Sequence, residues 1–171
     1  MMSPRMIWGL IALGDGFEPH HLSPPERSRL RARLRSHPNL SELARLAQKR
    51  AAVHRLRVHP GVLPRVLSAP RAVPGGVSAE GHDLVQPGMV EIYLPENAVD
   101  RLIREFAGKP ASRSEANLII RVPNVDFWPF HDHAARLAIA FDLWDAADSR
   151  SRRSAERLYQ AVIRSKRFEL S

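Results

Sequence analysis

The residues best suited to chemistry gather around a glycine pair. Gly75-Gly76 is followed, after a short stretch, by the strand-like Glu91-Ile-Tyr-Leu94. Side chains two apart on a strand face the same way. An acid-apolar-acid strand after a Gly-rich turn can therefore hold two metal ions for phosphoryl displacement. Here the second acid is Tyr93, and a phenol with a pKa of about 10 does not replace a carboxylate on a hard cation at neutral pH. That chemistry is expected to be absent, and an ordinary half-buried strand is the simpler reading. His131-Asp132-His133 offers two imidazoles on one side of an extended segment, but zinc takes three or four ligands and no third stands beside them. Structural or solvent-facing histidines are expected there, as at His20, His21, His54 and His59. Ser78, His82 and Asp83 form a triad only if geometry makes one; the spacing equally suits a cap or a surface pattern. Phe127-Trp-Pro-Phe130 could stack bases, but it is flanked by Asp126 and Asp132, which favours packing. No catalytic residue, metal or cofactor is expected.

The stronger signal is charge sorted by region. Residues 1–75 carry 13 Lys+Arg against 4 Asp+Glu, residues 76–148 carry 6 against 12, and residues 149–171 carry 7 against 2. Arginine outnumbers lysine 23 to 3, which suits bidentate phosphate contacts, although the codon usage of a GC-rich genome explains it equally well. The basic block fits a polyanion, most simply nucleic acid. The candidate phosphate contacts are Arg27, Arg29, Arg31, Arg33, Arg45, Lys49, Arg50, Arg55 and Arg57, joined by Arg150, Arg152 and Arg153. The competing reading is a solvated helix face. The acidic middle offers no carboxylates at catalytic spacing. It reads as an ordinary surface or as a docking face for a basic protein.

Ser23-Pro-Pro-Glu26 is a capping box that opens a helix running to about residue 35, with Leu30 and Leu34 as its apolar stripe. Asn39-Leu-Ser-Glu42 opens a second, whose apolar spacing continues through Val53 and Leu56 until Pro60-Gly61. A short helix over 62–68 follows, so helix, turn and helix give a weak helix-turn-helix pattern. Pro74-Gly75-Gly76 is the clearest break and coincides with the change of charge sign, which places a boundary between residues 1–75 and 76–171. Beyond it the pattern predicts a weak helix over 78–85, a strand over 89–94, a helix from Pro95 and a strand over 116–122. An apolar helix over 134–147 and a last helix over 151–166 complete the chain. The fold class is α+β: a basic helical N-terminal region, then a small α+β domain with a few strands and a helical C-terminus. Met6-Ile-Trp-Gly-Leu-Ile-Ala-Leu13 is too short for a membrane span of roughly 20 residues and lacks a cleavage site, so it reads as a packing segment or an arm. The absence of cysteine excludes disulfides and thiolate zinc sites and fits a cytoplasmic protein.

Several stretches carry a family resemblance. They are Arg55-Leu-Arg-Val-His-Pro-Gly-Val-Leu-Pro-Arg-Val-Leu67, Val77-Ser-Ala79, Asp83-Leu-Val85, Met89-Val-Glu-Ile-Tyr-Leu-Pro-Glu96, Ala116-Asn-Leu-Ile-Ile-Arg-Val122, Trp128-Pro-Phe130 and Asp142-Leu-Trp-Asp-Ala-Ala-Asp-Ser-Arg-Ser-Arg-Arg153. Together they resemble actinobacterial proteins of the AbiEi antitoxin class, the transcriptional regulators of type IV toxin–antitoxin systems. The resemblance implies an N-terminal winged helix on DNA, an α+β C-terminal domain, repression of the protein's own operon and a nucleotidyltransferase toxin in the same system. This chain departs from the pattern by showing no β-hairpin signal before Gly75. The expected function is DNA-binding regulation of the antitoxin type without enzymatic activity. The alternatives are a protein–protein module that neutralises a toxin or binds another partner, and a degenerate nucleotidyltransferase-like domain.

Overall fold

Ser3 and Pro4 turn the apolar N-terminal run into a helix. The Ser3 hydroxyl accepts the Met6 N–H, and proline sits where a missing N–H costs nothing. In this computed structural model, which describes residues 1–170, helix α1 (Pro4–Gly14) is part of the core and not an arm. Ile7, Trp8, Leu10, Ile11 and Leu13 are all buried. At Gly9 an added Cβ would overlap the Leu22 side chain, so the small residue lets that leucine lie against the helix.

Helix α2 (Pro24–Arg35) starts on the expected capping box. Ser23 N–H and its hydroxyl both donate to Glu26 Oε2, at 2.8 and 3.0 Å. Arg5 grips the same carboxylate at 2.8 and 2.9 Å. The Arg5 hydrogen bond first, and the Ser23 N–H second, hold the Glu26 carboxyl down at about 2. A folded value below the ordinary 4.5 means that this clamp stabilises the fold above pH 4.5 and loses its contribution as pH falls toward 2. Glu26→Gln is therefore expected to flatten the acid limb of a melting-temperature profile between those values, and an unchanged limb would contradict the clamp.

Helix α3 (Leu40–Leu46) stops well short of the expected end. Ala51–Arg57 is strand β1, not the continuation of a helix. The reason is non-local. Six consecutive β1 residues, Ala51 to Leu56, pair antiparallel with strand β5 (Leu118–Pro123), and tertiary pairing overrides the local helical spacing of Val53 and Leu56. The helix-turn-helix reading over 39–68 falls with it, because one of its two helices is half strand. What remains is a short helix α4 (Leu63–Leu67) after a 3-10 turn at Pro60–Val62. The break at Pro74-Gly75-Gly76 is a turn inside the sheet and not a hinge between domains: β2 (Val73–Pro74) before it pairs with β3 (Val90–Tyr93) after it. The weak helix expected over 78–85 is a 3-10 turn at Gly76–Ser78 followed by bends.

Helix α5 (Glu96–Glu105), the short β4 (Lys109–Pro110), α6 (Arg136–Asp145) and α7 (Ser149–Ser165) complete the order. The sheet runs β2-β3-β5-β1-β4, with β3 and β5 parallel and the other pairs antiparallel. Strand alternation splits the core in two. Val90, Ile92, Leu118, Ile120 and Val122 meet Val66 of α4 and Val99 and Leu102 of α5. Tyr93 and Ala51 belong to the other side, packed with α1, α6 and α7. Helix α6 lies between α7 and α1, which is why it is apolar on nearly all faces. The result is α+β. Among the described residues, no helix is long and apolar enough to cross a membrane.

Candidate nucleic-acid interface and a buried charge centre

The glycine turn and β3 do come together, with an outcome different from a metal site. Glu91, Tyr93 and Arg121 share the sheet face below α6, with Tyr93 and Arg121 direct partners across the parallel pair. From α6 comes Asp142, fully buried, and from the end of the α3 turn comes Arg50, 3 % exposed. Asp142 accepts the Gly76 N–H at 3.1 Å, the Tyr93 hydroxyl at 2.6 Å and an Arg50 Nη2 at 2.8 Å, and Arg121 Nε lies 3.3 Å away. Glu91 accepts the Val77 N–H at 2.6 Å and Arg121 Nη1 at 3.2 Å. Arg50 also reaches Asp145 at 2.8 Å and lies over the Phe141 ring. Trp8 closes the site by donating to the Arg50 carbonyl at 2.9 Å.

Electrostatics follows from this enclosure. Burial pushes the Glu91 carboxyl up, against the pull of Arg121. Burial, then the Asp142 charge, pushes the Tyr93 phenol far up, so it stays a neutral donor. Burial opposes the charge on Arg50 and Arg121, but the facing oxygens more than offset it and both are raised. Two guanidinium groups thus occupy a centre whose carboxylates would have to be free to hold cations. No group of three or more His, Cys, Asp or Glu side chains able to hold a metal occurs among the described residues. The glycine pair also serves the centre: at Gly76, with φ +44°, an added Cβ would overlap the Glu91 carboxylate. In a phosphate cradle that space would be left for ligand.

The sequence carries a signal for this centre. Arg121 interrupts Leu-Ile-Ile-Arg-Val and Asp142 interrupts Ala-Phe-Asp-Leu, and a charge inside an apolar run needs a partner.

The twelve candidate phosphate contacts are scattered. Arg50 is a correction: it is sealed in the charge centre and cannot reach a polymer. Arg27 and Arg31 both bind Glu18 at 2.8 Å. Arg55 is half-buried, and burial followed by Arg113 and Arg121 lowers its pKa. Arg57 donates to the Glu115 carbonyl at 3.3 Å. Arg152 lies 4.9 Å over the Trp144 ring. Arg150 and Arg153 are exposed beside Arg157, itself held by Asp83 at 2.7 Å.

Arg29 and Arg33 are brought together at an open groove of about 520 Å³ over the α2–α3 turn, with His37, Asn39 and Glu42. Glu42 is the one carboxylate there, 3.9 Å from Arg33. Arg45 lies three residues beyond Glu42, on the same face of α3. Arg45 and the nearby Lys49 are exposed. Helix α3 packs on α6, and its Leu40 and Leu43 share one core cluster with Leu30 and Leu34 of α2.

The remaining candidates have structural roles. Ser78 accepts the Glu91 N–H, the His82 ring meets the Gly76 carbonyl, and Asp83 binds Ser154 and Arg157, so no triad forms. The His131 ring packs on Phe17, and Phe130 is buried between Trp8, Tyr93 and Trp128. No family model, curated protein or solved structure matches the chain.

Proposed function

We propose that the chain is a non-enzymatic DNA-contacting regulator of the antitoxin type. The observation that carries this reading is the α2–α3 groove, where Arg29 and Arg33 stand against the single carboxylate of Glu42, with the exposed Arg45 further along α3. Guanidinium groups around an open polar groove bind phosphate through paired N–H donors. The closed centre supports the non-enzymatic part, since Glu91 and Asp142 already have their hydrogen bonds and face no solvent. The proposed contact is to the phosphate backbone, and the basic surface itself specifies no sequence preference. A nucleotidyltransferase toxin as the system's second member and a cytoplasmic setting belong to the same proposal, through the resemblance of roughly residues 55–165 to the AbiEi class.

Anisotropy of a labelled duplex tests it. Arg29→Ala with Arg45→Ala is expected to weaken binding at least about tenfold, or ~1.4 kcal/mol. Both side chains are exposed, so the fold should be unchanged. Equal affinity in this variant would remove the groove as the site.

A further inference from the structure

A second groove lies where the parallel strands β3 and β5 end. Two depressions of about 440 and 350 Å³ share one wall, which includes Glu96 and Asp126, and one apolar floor, Val122 and Pro123. One runs toward His54 and the other toward Trp128. In a chain with 26 cationic side chains and 18 anionic ones, the exposed carboxylates of Glu96 and Asp126 have no hydrogen bond or ion pair among the described residues. The one guanidinium in the groove, Arg71, is held by Asn97 Oδ1 at 2.8 Å. Trp128 is 38 % exposed, although most large apolar side chains are buried.

The charge decides the ligand class. Two carboxylates against the one guanidinium of Arg71 leave the groove net anionic, which disfavours phosphate and nucleic acid and favours ammonium or guanidinium. An exposed indole adds a face on which a cation is bound. Paired depressions with a common rim suit side chains that alternate along an extended backbone, whereas a compact amine would fill only one. The Arg-rich segments of a second copy are the helices α2 and α7 and the strand β1, which is already paired within its own sheet, so none is free to lie extended there.

We propose that this groove seats an extended basic segment of a partner protein, with its cationic side chains on the Glu96–Asp126 rim and over Trp128. The proposal goes beyond the DNA contact and uses none of its residues.

The test uses the full chain and a fluorescein-labelled octapeptide alternating arginine and alanine, followed by anisotropy in low salt. The protein's net charge of +8 repels this probe in general, so saturable binding reports a local site. Saturable binding is expected. It should be weakened about tenfold or more by Glu96→Gln with Asp126→Asn, and about fivefold by Trp128→Ala. Glu96 and Asp126 are both exposed; should Glu96→Gln loosen the start of α5, Asp126→Asn alone carries the test. The proposal is overturned by the absence of saturable binding, by equal or tighter binding of the peptide with glutamate for arginine, or by an affinity the double variant leaves unchanged. Displacement of the peptide by spermine at matching affinity would also overturn it, in favour of a small-polyamine site.

Discussion

Asp142→Asn is expected to lower stability by about 3–5 kcal/mol, the usual loss when one partner of a buried ion pair is removed. In a chain of this length that shifts the melting temperature by about 6–20 °C. The substitution keeps the side chain's shape. It removes the negative charge on which the Gly76 N–H, the Tyr93 hydroxyl and Arg50 converge, with Arg121 alongside. Two guanidinium groups would then sit buried against Glu91 and the part-exposed Asp145. Glu91→Gln should be milder. Burial raises the Glu91 folded pKa above 4.5, so its ionisation costs stability as pH rises through that range, and the neutral amide avoids this cost. Urea and thermal unfolding of the two variants check the ordering. A Glu91→Gln loss equal to that of Asp142→Asn would mean that Asp142 is not the pivot.

Gly76→Ala should be the other severe change, at about 3 kcal/mol or more. The backbone there is left-handed, which costs a non-glycine residue about 1 kcal/mol or more. The larger part comes from the methyl group, which would displace the Glu91 carboxylate from the Val77 N–H and from Arg121. This makes the two positions energetically coupled. In a Glu91→Ala background the same glycine substitution should cost at least about 1 kcal/mol less than in the wild type, as judged by a double-mutant cycle. Strict additivity would show that the glycine is needed for its backbone angle alone.

Local signals in the sequence were read faithfully by the fold. The Ser23–Glu26 box starts α2, alternation marks β3 and β5, and apolar spacing marks α5 and α7. Strand β1 was illegible because Ala-Ala-Val-His-Arg-Leu-Arg carries helical spacing, and only its long-range partner β5 makes it a strand. The Gly75-Gly76 pair announced a close approach but not what approaches, and the carboxylate of Glu91 takes the space a ligand would need. Nothing local ties Arg50 to Asp142, 92 positions apart. Basic character therefore overstated the reachable surface: several arginines of the front third serve Glu18, Glu26, Glu169 and Asp142. Those left around the α2–α3 turn carry the proposed function.

The salt dependence of duplex binding tests that function most directly. About three phosphate contacts, two from the groove and one from Arg45 on α3, predict a slope of log affinity on log salt of about −3, which should approach zero when Arg29, Arg33 and Arg45 are all alanine. A wild-type slope near zero, or a steep slope that the triple variant retains, would contradict the account.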